Sequence, residues 1–416
     1  MDLMTERQWK RWEVVQRVLA GAVTAVAGAA ALGVSTRHIR RMIRRVEADG
    51  RAGLLHGNKG RRPANRVTDE VRGQILELRR NRYAGFNDVH LTEKLGGSEQ
   101  IQVSRSTVRA VLREAGEAAV RKRRAPRHRR RRDRKRQAGQ MVLWDGSRHD
   151  WLEGRGPVLC LMGAIDDATG ELLPGARFME QECAAGYLGV LKTMVEEKGI
   201  PWSVYQDRHG SLHRNDDHWT LEEQLRGEQD PTHVGAALKA LEVEQIYALS
   251  PQAKGRVERL WRTLQDRLVS ELRLAGVSTV SEAGAVLERY RLEHNTRFAI
   301  PAADTSPAWR PVRPGVDVTR ICSFRYDTDV RNDNTARVAG HVIDIPPGAH
   351  GRSWTRVRVE VRQLLDGRWR VYAKDKLIAE GPPSSVGELR ALPRRKRSAA
   401  ERAFRASIIR VANALP

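Results

Sequence analysis

The chain has 416 residues and a mass of 46.9 kDa, which at roughly 100 to 200 residues per domain predicts two to four domains. Lys and Arg total 74 against 51 Asp and Glu, a formal charge of +23, so the expected partners are polyanions, with nucleic acid ahead of a membrane surface. Cys160, Cys183 and Cys322 are odd in number and far apart, so neither a disulfide framework nor a zinc knuckle follows, and a reducing compartment is expected.

At the front, residues 6–19 and 24–32 read as two helices, with Gly33, Val34 and Ser35 turning into a third. The uncharged run 18–34 is rich in Ala and Gly, holds two Leu and runs straight into a patterned helix, so neither a signal peptide nor a membrane span is expected. Ser35 is a good N-cap, and Ile39, Met42, Ile43 and Val46 recur at helical spacing as the buried stripe. That leaves Arg37, Arg40, Arg41, Arg44 and Arg45 outward, an arrangement suited to the major groove and its phosphates in a helix-turn-helix.

A second copy of the plan follows the basic stretch 58–63. Val71, Ile75 and Leu78 mark one helix, 87–95 another, and Ser104 caps a third with Val108, Val111 and Leu112 inward and Arg105 and Arg109 outward. Tandem units would read a longer duplex site than either alone. Between Arg121 and Arg136 twelve of sixteen residues are Arg or Lys; no core can form there, and counterion release would give salt-sensitive affinity for phosphate.

From about residue 139 the pattern changes to apolar strands at 141–144, 158–165 and 172–178, read as consecutive and antiparallel. A helix at 184–198, a strand at 203–206, a helix at 234–241, a strand at 245–248 and a helix around Glu258 complete a mixed α/β order. Asp145 and Asp207 end strands, and Glu258 lies in the helix. Carboxylates about 4 Å apart repel by roughly 4 kcal/mol per pair at an effective dielectric near 20, so such a trio calls for cations. Two Mg²⁺ (or Mn²⁺) ions held by oxygen ligands would activate the attacking oxygen and stabilise the leaving oxygen of a displacement at phosphorus.

Other acids are set aside. Asp166 and Asp167 precede Thr169 and Gly170 and fit turn chemistry. Asp150 has the wrong strand parity, and Asp266 and Glu271 lie too far along the Glu258 helix. Val257, Trp261, Leu264 and Leu268 form its buried stripe. Lys254 and Arg262, one turn either side of Glu258, are expected to hold the DNA backbone, with pairing to the carboxylate as the other reading. His149 and His209 are auxiliary candidates for orienting a phosphate or water.

The segments 144–152, 165–169, 205–210 and 254–259 resemble the integrase-core motifs of bacterial insertion-sequence transposases, particularly the ISNCY type, over roughly residues 1–311. The resemblance implies a ribonuclease H-like core with an Asp-Asp-Glu triad on Asp145, Asp207 and Glu258, as in retroviral integrases and phage Mu transposase. Fifty residues separate Asp207 from Glu258, more than the retroviral pattern implies, and the polar stretch 212–231 accounts for the surplus as an inserted loop or short helix.

After 307–314 the period becomes two. Val357, Val359 and Val361 alternate with charged residues, and Asp366-Gly367 turns the chain into Trp369, Val371 and Ala373, a hairpin signal. With strands at 321–326 and 342–345 this predicts a small barrel, followed by a basic tail, helical from 399 to 411.

The expected fold is therefore multidomain α+β: helix-turn-helix domains at 1–57 and 64–118, a basic linker at 119–138, a ribonuclease H-like core at 139–312, a small β-barrel at 316–381 and a basic tail at 384–416. The resemblance implies a cytoplasmic, nucleoid-associated bacterial DNA transposase that cleaves and joins strands. Its partners would be double-stranded DNA of element ends and target, and further copies of itself on DNA, with no membrane and no small-molecule substrate. The other reading is a sequence-specific DNA-binding regulator whose integrase-like core is inactive.

Overall fold

The computed structural model describes residues 4–55, 66–120, 132–214, 216, 219–248 and 255–389. Most of the basic linker, Lys254 and the tail from 390 lie outside the described residues. By packing, the chain divides into two units, 1–74 and 75–416.

The first unit holds α1 (Glu6–Leu19), α2 (Ala25–Leu32) and α3 (Thr36–Asp49), and α4 (Asp69–Asn81) begins in it. Thr24 and Ser35 cap α2 and α3, each accepting a backbone N–H at 3.2 Å, and Gly33 ends α2 at φ +60°, a conformation glycine adopts without cost. Val15, Ala29, Ile39, Met42, Val46 and Leu54 form its core. Ile43, expected inward, is half-buried.

In the second unit, α4 continues into α5 (Asp88–Gly97, capped by Asn87) and α6 (Arg105–Glu114, capped by Ser104). Val108, Val111 and Leu112 are buried as their spacing predicts. This helical group packs on a long helix, α10 (Gly255–Leu274). Asn87 donates to Asp266 at 2.6 Å, Lys94 to Glu271 at 2.8 Å, and Arg267 to Glu93 at 2.7 Å.

A five-stranded sheet follows: β1 (Val142–His149), β2 (Leu159–Asp166), β3 (Arg177–Met179), β4 (Ser203–Gln206) and β5 (Glu244–Tyr247), in the order β3-β2-β1-β4-β5. β1, β2 and β3 are antiparallel, whereas β4 and β5 run parallel to β1. One face packs on α7 (Ala184–Glu197) and α9 (His233–Ala240) through Val142, Trp144, Tyr187 and Leu191; the other packs on α10 and α11 (Val280–Phe298) through Leu143, Leu161, Trp261 and Leu287. All eight residues of β2 are buried, as expected of a strand covered on both faces.

Two strands depart from expectation. β1 runs past Asp145 to His149, because β2 supplies a partner for every residue to Leu159; Asp145 is therefore mid-strand. The strand expected at 172–178 shrinks to Arg177–Met179 plus one bridge between Ile165 and Leu172. Pro174 lacks an amide donor, and Gly175, at φ +88°, lies where a Cβ would come within 3.0 Å of the Val190 carbonyl oxygen.

The polar insertion forms a short helix, α8 (Leu221–Arg226), closed by a capping box between Thr220 and Glu223. Beyond α11, Asp317 caps the short α12 (Val318–Ile321), so the strand expected from 321 starts later, as β6 (Phe324–Asp329). β7 (Thr335–Val338) and β8 (His341–Asp344) make a hairpin, and β9 (Arg358–Gln363), β10 (Trp369–Ala373) and β11 (Lys376–Gly381) join β6 in a sheet ordered β11-β10-β9-β6. The expected barrel does not close among the described residues. The hairpin pairs only with itself and packs through Val338, Ile343 and Ile345 on Val359, Val361 and Trp369, so side-chain burial joins the two layers where ladder bonds would be needed for closure.

Candidate active site

Asp145 sits at the middle of β1 opposite Gly163 of β2. A Cβ on Gly163 would lie 3.4 Å from the Trp261 ring, so glycine leaves room for that indole against the sheet. Trp261 Nε1 donates to Asp145 Oδ2 at 3.2 Å, and Gln265, one turn on, donates to Ser147 Oγ at 3.1 Å. α10 thus runs along β1 in the same direction. Glu258 is exposed and three residues before Trp261, a spacing that puts both on one side of the helix.

Asp207 follows β4 directly. Parallel pairing sets Leu143 beside Tyr205 as the last pair of that register, and Asp145 and Asp207 each follow it by two residues. The Asp207 carboxylate accepts the His209 N–H at 2.9 Å. Both aspartates act on Tyr187, whose hydroxyl is raised well above the ordinary tyrosine range by burial first and then by Glu182, Asp145 and Asp207. Among the described residues no three His, Cys, Asp or Glu side chains stand close enough together to hold one metal ion. Among the described residues, β4 leads into Asp207 beside β1, and the Glu258 helix is tied to Asp145 through Trp261.

A third acid beside this pair gave no sign in the sequence. Glu182 accepts from the Tyr187 hydroxyl at 2.6 Å and lies 3.6 Å from His209 Nδ1. A Cβ at Gly146, the residue after Asp145, would fall 2.7 Å from its carboxylate. Glu182 follows β3 in a Glu-Gln-Glu run that reads as an ordinary polar connection, and only the packing of α7 on the sheet brings it to β1. Burial, then Glu182 and Asp145, push the Cys160 thiol to about 12, so it is no nucleophile near neutral pH. Glu182, His209 and Ser211 also line a cavity of about 1320 Å³ that reaches Arg214, His233 and Phe324.

The two histidines part company. His209 lies within the acidic cluster, whereas His149 ends β1, four residues or about 13 Å beyond Asp145, edge-on to Trp151 at 5.4 Å between ring centroids. The acids assigned to structure have structural partners. Asp150 caps a turn by accepting the Gly154 N–H, and Asp166 accepts the Gly139 and Thr169 amides. Asp167 pairs with Arg132 and Arg256, and Glu271 with His90 and Lys94.

Of the residues expected to meet DNA, Arg37, Arg40, Arg41, Arg44 and Arg45 are all exposed along α3, with Arg41 3.0 Å from the His38 ring. Arg105 and Arg109 are exposed on α6, and Arg262 on α10. No helix among the described residues is long and apolar enough to cross a membrane.

Fold and site together define a multidomain α/β protein with a helix-turn-helix unit at its front. The winged helix-turn-helix family matches residues 11–72. The chain is 39% identical over 399 residues to a Sinorhizobium fredii (strain NBRC 101917 / NGR234) protein named as transposase y4bF, covering 90% of this chain and 83% of that one. It is 29% identical over 394 residues to the transposase for insertion sequence IS1202 of Streptococcus pneumoniae, covering 85% and 78%. The chain belongs to the bacterial insertion-sequence transposases, DNA-binding proteins of mobile elements. A chain of a simian T-cell lymphotropic virus intasome structure aligns at 14% identity with a TM-score of 0.29, covering 74% of this chain and all of that one; at that distance it carries no argument.

Proposed function

We propose that this transposase binds the ends of its element through α3 and α6 and cuts and joins DNA strands at a site built on Asp145, Asp207 and Glu258. The observation that carries the reading is the Trp261 bond that ties the Glu258 helix to Asp145 on β1, beside the parallel strand β4 that leads into Asp207. The strand order β3-β2-β1-β4-β5 with an antiparallel outer half supports a ribonuclease H-like core. The acids would act as ligands rather than general bases. Oxygen donors of this kind suit two Mg²⁺ or Mn²⁺ ions, which when bound would supply positive charge to the attacking and leaving oxygens.

The protein's own residues then have definite tasks. Asp145 is fixed by an indole donor, Asp207 by its loop amide, and Glu258 rides on a helix anchored by Val257 and Leu260 beneath it. Arg262, together with Lys254, would hold the backbone of the reacting strand. Cleavage and joining are both displacements at phosphorus, so one site serves both when a 3′-hydroxyl takes the place of water. Binding two ends at once requires at least a pair of copies on DNA, and a bacterial nucleoid is where such a protein would work.

Labelled duplexes carrying the element ends, incubated with Mg²⁺, provide the test. The wild type nicks them, while Asp207→Asn and Glu258→Gln bind equally well without nicking. Binding with no nicking by any of the three proteins would leave the regulator as the correct reading.

A further inference from the structure

Two residues before Glu258 lies an arginine cluster that the proposed chemistry does not use. The Asp167 side chain is fully buried and takes ion pairs from Arg132 and Arg256 together, while also accepting the Lys135 N–H at 2.7 Å. Arg256 donates to the Arg132 carbonyl oxygen at 2.6 Å, and Arg134 to the carbonyl oxygens of Asp167 and Ala168 at 3.2 and 3.1 Å. Arg259, one turn after Arg256, is exposed.

The charges at this spot do not balance. Arg132, Arg134, Arg256 and Arg259 gather around Asp166 and Asp167, and Asp166 is turned toward the amides of Gly139 and Thr169. The crowding is felt: burial, then Arg256, and further on Arg259, disfavour the Arg134 cation. A guanidinium has five donors in a fixed fork, and one shared carboxylate engages only part of that capacity on each of two arginines. Arg132 and Arg256 keep 44% and 20% of their side-chain surface open. Fixed cations with spare donors, partly open to solvent, are complementary to an anion of matching geometry.

We propose that Arg132 and Arg256, oriented by Asp167, form with the exposed Arg259 a preorganised site for one backbone phosphodiester of duplex DNA at the start of the Glu258 helix. Arg132 belongs to the basic run 121–136, so a strand neutralised along that run would continue to the acids through this site. The inference rests on the transposase reading of Glu258 for its purpose, but its test does not.

The full chain is titrated with a fluorescent duplex of arbitrary sequence in EDTA, between about 50 and 200 mM salt. Arg259→Gln and Arg132→Gln should each lower the slope of log K against log salt by about one, and Arg259→Lys should keep the wild-type slope. Thermal melting checks that each variant is folded. Wild-type slopes in both folded glutamine variants would overturn the proposal. So would stabilisation by inorganic phosphate that Arg259→Gln abolishes without any change in slope, since that assigns the site to a free anion. Binding here is read without metal or chemistry, so a chain that fails to nick can still pass this test.

Discussion

At the scale of single residues, Asp167 shows how little a carboxylate's sequence context reveals. Beside Asp166 and ahead of Thr169-Gly170 it reads as turn chemistry, and the turn is real, with Asp166 accepting from Thr169. Its two arginines come from 35 residues before it and 89 after it, and no periodicity links them. Asp167→Asn removes the charge between two guanidiniums and is expected to cost about 3 kcal/mol, toward the low end for a buried pair because Arg132 is partly solvated; a urea midpoint like the wild type's would refute this. Trp261→Phe keeps most of the packing and loses one donor to a charged group, worth about 1.5 kcal/mol. On the proposed function, its nicking rate should fall further than that loss of stability explains, because Asp145 then loses its indole donor. Gly146→Ala drives a methyl into the Glu182 carboxylate and should destabilise the fold, an effect that Glu182→Ala in the same chain relieves.

At the scale of elements, legibility followed local rules. Helices capped by Ser35, Asn87 and Ser104 begin where their caps stand, because a cap satisfies orphan amides within three residues of chain. Ser35→Ala and Ser104→Ala should each cost about 1 kcal/mol, read by thermal melting; equal melting temperatures would show that the caps are dispensable. Strand ends were harder to read, since β1 is lengthened by its partner and β3 is cut short by Pro174 and Gly175. The docking of α5 on α10 was invisible in sequence. It uses Glu271, nearly buried between His90 at 2.6 Å and Lys94 at 2.8 Å. Glu271→Ala should cost about 3 kcal/mol by stranding both partners, whereas a loss of a few tenths would mean that the helices are held by apolar contact alone.

At the scale of the whole molecule, buried imidazoles set a pH limit. Burial, then Arg362, lowers His233 to about 4, and burial, then Arg267, lowers His294 to about 4; His90 shifts the same way, chiefly through burial. The folded state therefore binds fewer protons than the unfolded chain below the ordinary value of 6.5. Stability is full above about pH 6.5 and is lost as pH falls toward 4, by about 2 kcal/mol at pH 5 for each of His233 and His294. Urea midpoints at pH 7 and pH 5 measure the loss, which His294→Gln should lessen; equal midpoints would exclude it. His233 packs edge-on against Phe324 and Tyr326 and accepts the Arg325 N–H, so the contact between α9 and the C-terminal sheet should loosen early on acidification.

The sequence by itself determined the parts whose causes are local: capped helices with arginine faces, alternating strands, a basic run that can bury nothing, and three acids at suggestive places. Tertiary structure alone decided which distant groups meet. It paired β4 with β1, brought Glu182 against Gly146, gathered arginines from distant segments around Asp167, fixed α5 to α10 and left the C-terminal sheet open among the described residues. The reason is physical: caps and periodicity act within a turn or two of chain, whereas register, docking and charge convergence depend on what two remote surfaces bury against each other.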